Sequence, residues 1–175
     1  TDQGQNWTEM SSSAPDVIIM DLDIQKRERD LAIGTYGRGI YIADIFPFKE
    51  FSTETFNKEA YLFDIQRTIK WNMLERRGPS YGEFAKVDNP PVGANIYYYL
   101  KEKAESVSIV IKDVMGIVLQ EVKGKKTKGI QKYFWNLGQQ RSAYRADHGA
   151  YQVTLKVNGE DVLTKMLMVV DDPDF

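Results

Sequence analysis

Asp21 and Asp23 stand two residues apart, so a strand puts both carboxylates on one face, about 6.5–7 Å from each other. That is the separation of a general acid and a general base acting on a glycosidic bond. Such pairs normally come from different segments facing a cleft, so solvation of a sheet end is the better account of this one. Gly34-Thr35-Tyr36-Gly37-Arg38-Gly39 invites a phosphate-cradle reading. Its glycine order is wrong for a dinucleotide fingerprint, and a strand rather than a helix follows it. Turn geometry therefore accounts for Gly34, Gly37 and Gly39. Arg38 is left as a fixed cation at a hairpin tip, a candidate contact for a carboxylate or a sugar.

Tyr97, Tyr98 and Tyr99 alternate across a strand. Ile96, Tyr98 and Leu100 then face one side, and Tyr97 and Tyr99 face the other. The outer pair are candidate sugar-stacking residues, although aromatic residues also favour strands through packing alone. His148 is the sole histidine, and no cysteine is present. A metal centre needs several convergent ligands and a catalytic triad needs a serine and an orienting acid, so His148 reads as a loop residue. Asp171, Asp172 and Asp174 read as a solvated acidic tail, and Lys123, Lys125, Lys126 and Lys128 as a solubilising turn. No metal or other cofactor is expected.

The elements that must position these groups follow from composition and pattern. The chain has 175 residues, 42% of them hydrophobic, enough for a core and one or two domains. Its 23 basic and 25 acidic residues favour neither nucleic acid nor an anionic membrane. No apolar stretch approaches the ~20 residues of a membrane span. The lack of cysteine excludes a disulfide framework, and it fits a cytosolic chain as well as a periplasmic or secreted one. The chain opens inside a turn-like motif, so its natural start is expected upstream, and the lack of a visible signal peptide says nothing about secretion.

Apolar runs predict strands over 17–24, 31–36 and 39–45, the last two joined by Gly37-Arg38 as a two-residue type II′ turn. Pro47 breaks the third run, and Ser52 or Thr53 caps a short helix. Residues 60–64 and 68–71 read as short strands, and 76–91, with Gly78, Pro79, Gly82, Pro90 and Pro91, as a linker. Strands are then expected over 95–101, 107–112, 117–122, 131–135, 149–157 and 162–170, a β-sandwich pattern. Asn158-Gly159 is the strongest hairpin signal.

Two stretches resemble known families. Asp2-Gln3-Gly4-Gln5-Asn6-Trp7 resembles the Asp-box of sialidase-type (BNR) repeats, with Asn6 where Thr is usual. The run Asp30-Leu31-Ala32-Ile33-Gly34-Thr35-Tyr36-Gly37-Arg38-Gly39-Ile40-Tyr41-Ile42-Ala43-Asp44 resembles the last blade of sortilin-like or glycosidase-like bacterial propellers. Tyr36 stands where a His is common, and Gln25-Lys26 where a His-Pro is common. Further on, Asn89-Pro90-Pro91-Val92-Gly93-Ala94, Asp113-Val114-Met115-Gly116, Phe134-Trp135-Asn136-Leu137 and Gly149-Ala150-Tyr151-Gln152-Val153 resemble flagellar-hook-capping-type immunoglobulin-like domains.

The resemblance implies an all-β chain: a C-terminal immunoglobulin-like β-sandwich, preceded by end strands of a β-propeller and a short connecting segment with little helix. Residues 1–46 would be propeller-end strands, 47–91 the connecting segment and linker, and 92–175 the sandwich. Asp2, Gly4 and Trp7 would be structural Asp-box residues, as Gly34, Gly37 and Gly39 are hairpin residues. Residues 7–10 would be the fourth strand of a penultimate blade, and the final blade would lack its closing strand. The expected partners are the remainder of the propeller, a glycan, or a second copy through an exposed strand edge, with no nucleic acid and no membrane insertion. The expected role is a non-catalytic structural or interaction module of a secreted, periplasmic or cell-surface bacterial protein. The other readings are a carbohydrate-binding module and a fragment of a glycoside hydrolase whose catalytic residues lie upstream.

Overall fold

The computed structural model describes residues 4–5, 16–26, 29–50, 52–71, 91–139 and 142–172. Asp2, Trp7, the expected strand at 7–10, the greater part of the expected linker and Asp174 lie outside them. The chain divides into two units, Thr1–Phe46 and Pro47–Phe175.

The first unit holds an antiparallel sheet of three strands, β1 (Ile19–Gln25), β2 (Asp30–Thr35) and β3 (Ile40–Asp44), in that spatial order. Register puts Leu22, Ile33 and Tyr41 in one row across the strands, and Ile24, Leu31 and Ala43 in the next. These rows share a face, because side chains of directly paired residues point the same way. The opposite face carries Asp21, Gly34 and Ile40, then Asp23, Ala32 and Ile42. No residue of this sheet is buried. The β2–β3 turn differs from the expected two-residue turn. Thr35 donates to the Gly39 carbonyl through its N–H (3.1 Å) and its hydroxyl (2.6 Å), so Tyr36, Gly37 and Arg38 form a three-residue loop. The Tyr36 N–H is drawn instead to the Ile18 carbonyl, which prevents a Tyr36–Gly39 pair. Gly37 (φ +77°) and Gly39 (φ +80°) supply the left-handed conformations that close this loop.

The second unit is an immunoglobulin-like sandwich. After a 3₁₀ turn at Phe46–Glu50 comes the short helix α1 (Thr53–Asn57), whose N-cap Ser52 accepts the Thr55 N–H at 3.2 Å. Then follow β4 (Ala60–Leu62), β5 (Thr68–Lys70), β6 (Ala94–Leu100), β7 (Val107–Lys112), β8 (Val118–Lys123) and β9 (Gly129–Trp135). A small hairpin, β10 (Gly138–Gln139) and β11 (Ser142–Arg145), precedes β12 (Gly149–Val157) and β13 (Glu160–Asp171). One sheet has the order β4-β6-β9 and the other β5-β13-β12-β7-β8.

Residues 60–70 are therefore part of the sandwich rather than a connecting segment. The chain pairs with β6 through β4, crosses the edge, and pairs in parallel with β13 through β5. This crossing ties the two sheets together along one side.

Alternation in the sequence builds the core. Ala94, Ile96, Tyr98 and Leu100 on β6 point inward against Val107, Ile109 and Ile111 on β7 and Val153 and Leu155 on β12. Trp135 is fully buried, packs edge-on against Tyr151 of the facing sheet at 5.5 Å, and donates its indole N–H to the Gly138 carbonyl at 2.9 Å. A large aromatic spanning both layers contributes more to such a core than any aliphatic neighbour. The Tyr98 hydroxyl is satisfied by the Lys125 carbonyl at 2.8 Å. Gly93 is needed by packing: a Cβ there would meet the Trp135 carbonyl oxygen and the Phe134 ring.

Candidate functional site

Tyr97 and Tyr99 lie where the alternation places them, on the outward face of the β4-β6-β9 sheet. Register sets Tyr61, Tyr99 and Ile130 in one row and Tyr97 beside Lys132 in the next. Each tyrosine has a partner within the chain. The Lys132 ammonium stands over the Tyr97 ring at 5.4 Å, and Phe56 of α1 packs edge-on to Tyr99 at 5.5 Å. A sugar stacking on this face competes with a cation–π contact at one ring and an aromatic contact at the other.

Next to this face is a polar cluster that alternation alone did not reveal. Lys165 falls on the inward register of β13, directly opposite the buried Val153. Its ammonium reaches the Asp64 carboxylate at 2.6 Å and that of Glu50 at 3.4 Å. Glu50 also accepts the Tyr61 hydroxyl at 2.7 Å and the Asp64 backbone N–H at 2.6 Å. Lys49 completes the set at 3.2 Å from Asp64.

The hydrogen bond from Lys165 holds Asp64 below the usual carboxylate range, against the opposing effect of burial. Burial pushes Lys165 down, but the Asp64 bond and the Glu50 charge outweigh it and raise the ammonium above its usual value. Burial, then the Glu50 hydrogen bond, raises Tyr61. Two carboxylates face two ammonium groups, each with an opposite partner. This is the arrangement of a latch between the segment entering the sandwich and its last strand. The signal that could have found it is a lysine set among Leu163, Leu167 and Val169 at inward positions, because such a charge requires partners.

Beside the latch is a depression of about 620 Å³. Leu100, Ala104, Val157 and Leu163 line it, and its rim mixes Lys103 with Glu160.

The other residues singled out in the sequence are dispersed. Arg38 is exposed at its loop tip, and Gly4 lies in a turn with φ +84°. Asp21 and Asp23 share a face but each accepts the N–H of the following residue at 2.9 Å, a local backbone role. His148 lies 3.3 Å from Asp171 at the end of β13. Asp172 is only 6% exposed, so the acidic tail is not wholly solvated: the strand end folds this side chain in. In the lysine-rich turn, Lys128 pairs with Glu102 at 3.0 Å, while the carbonyls of Lys125 and Lys126 anchor Tyr98 and the Ala104 N–H. That turn carries the chain from one sheet to the other, so it is structural as well as charged.

Fold and site together define an immunoglobulin-like β-sandwich module. Residues 91–161 match the FlgD Ig-like domain family. The matched stretch runs from three residues before β6 into the first residues of β13 and includes Tyr97 and Tyr99. The latch residues Glu50, Tyr61, Asp64 and Lys165 all lie outside it. No curated protein matches the chain.

Proposed function

We propose that this chain is a non-catalytic structural and interaction module of a secreted or periplasmic bacterial propeller protein. In this reading β1, β2 and β3 are strands of the final blade, and the immunoglobulin-like sandwich is an appended docking domain. The observation that carries the reading is the sheet of the first unit, whose apolar side chains are not buried. Leu22, Ile24, Leu31, Ile33 and Tyr41 share one face, and none of them is buried. An apolar sheet face is stable only against another layer, and a neighbouring blade is such a layer. On the opposite face the central positions are Ala32 and Gly34, small enough to admit a second layer closely. The blade-like run 30–44 falls on this same sheet.

The experiment is to read the gene ahead of Thr1, produce any polypeptide encoded there as a separate chain, and measure its association with this one. Association that Leu22→Asp or Ile33→Asp abolishes is the expected result. No association, or association indifferent to both substitutions, overturns the reading.

A carbohydrate-binding reading draws on the outward placement of Tyr97 and Tyr99 together. Titration with a panel of glycans separates the two readings. Saturable binding lost in Tyr97→Ala and Tyr99→Ala would favour the carbohydrate module.

A further inference from the structure

The chain contains one Asn-Gly pair, Asn158-Gly159. It forms the tip of the β12–β13 hairpin, where Val157 pairs with Glu160 around a two-residue turn. Both residues are left-handed, Asn158 at φ +52° and Gly159 at φ +89°, as a type I′ turn requires. The Asn158 side chain does more than tolerate that conformation. Its Oδ1 accepts the N–H groups of Glu105 at 2.8 Å and Ser106 at 3.0 Å, and its own N–H donates to the Ser106 carbonyl at 2.9 Å. One side-chain amide therefore pins the segment entering β7 to the tip of the opposite hairpin.

The same amide is chemically vulnerable. Gly159 has no side chain to shield its backbone nitrogen, and Asn158 is exposed to water. We propose that Asn158 is a site of spontaneous covalent modification whose rate is governed by its hydrogen bonds to Glu105 and Ser106. The deprotonated Gly159 nitrogen attacks Asn158 Cγ. The N–Cγ bond forms, the Cγ–Nδ2 bond breaks, and Nδ2 leaves as ammonia, giving a cyclic imide. Water then opens either carbonyl of the ring, yielding aspartate or isoaspartate at position 158.

The two donors hold Oδ1 fixed, and ring closure requires the side chain to rotate onto its own backbone. The reaction therefore runs through a locally opened hairpin, and the folded chain is slowed by the rarity of that opening. The two products differ in consequence. Aspartate keeps an acceptor for Glu105 and Ser106. Isoaspartate adds a methylene to the main chain, so the acceptor no longer meets those donors and the turn loses its register.

The test is to incubate the native chain, and the chain unfolded in urea, at mildly alkaline pH, and to map aspartate and isoaspartate formation by peptide mass spectrometry. Position 158 is expected to convert first in the unfolded chain, and about tenfold or more slowly in the native one. Amide exchange at Glu105 and Ser106 should accelerate in the isoaspartate product and stay near the parent level in Asn158→Asp. Equal rates in native and unfolded chain overturn the proposal. So does another asparagine converting before Asn158 in urea, or unchanged exchange at Glu105 and Ser106 in the isoaspartate product.

Discussion

Lys165 and Asp64, 101 residues apart in the chain, meet at 2.6 Å where the last strand passes the segment that enters the sandwich. The lysine points inward on β13 and is made tolerable by Asp64 and Glu50. Removing it strips Glu50 of its ammonium partner and leaves Asp64 to Lys49. Lys165→Ala should cost about 1–2 kcal/mol in urea unfolding, between the values for exposed and buried pairs. Lys165→Ala combined with Asp64→Asn should cost less than the sum of the single changes, because the two groups interact. Strict additivity would show that the contact carries no coupling.

The same pair sets a pH dependence. Asp64 is held low in the folded chain, so its contribution is complete above the unfolded carboxylate value and disappears as pH falls through the lower folded value. Lys165 is held high, so its contribution is complete below the ordinary lysine value and disappears as pH rises through the raised folded one. Urea midpoints measured across pH should fall at both extremes. Asp64→Asn should flatten the acidic side, and added salt should weaken the effect, because Asp64 is nearly half exposed.

Gly93 stands where a side chain would strike the Trp135 carbonyl and the Phe134 ring. Gly93→Ala should destabilise by about 1–3 kcal/mol, since the obstacle is partly backbone and cannot rotate away. Trp135→Ala should cost about 3–5 kcal/mol, because it empties the contact between the sheets and orphans the Gly138 carbonyl. Thermal unfolding of the two variants checks both, and the tryptophan change should be the larger.

On the outward aromatic face, Tyr99→Ala removes the edge-on partner of Phe56. The proposed function predicts a stability loss of about 1 kcal/mol and no change in glycan titration. A glycan isotherm that weakens in this variant would move the face from packing to recognition.

How much of this was legible in the sequence varied with the range of the interactions involved. The strands at 107–112 and 149–157 were readable to the residue, because long alternation against a buried face fixes a strand without reference to its partners. Residues 60–64 and 68–71 read as strands, but runs this short cannot show which sheet they join. That choice is made by pairing with β6 and β13, far along the chain. The hairpin β10–β11 is too short to show a period at all. Tyr97 and Tyr99 were placed on the outer face by alternation, while their partners Lys132 and Phe56 come from other elements. The latch was hidden for the same reason: Lys165 and Glu50 are 115 residues apart, and only the fold brings them together.

The central claim is that the β1–β3 sheet is a piece of a larger β architecture whose covering layers lie on other parts of the polypeptide. Hydrogen exchange of the β1–β3 amides tests it most directly, comparing this chain with the full product of its gene. Fast exchange in this chain and strong protection in the full gene product is the predicted result, with the sandwich amides unchanged between them. Equal protection of β1–β3 in both would contradict the claim, because the sheet would then be stable without a covering layer.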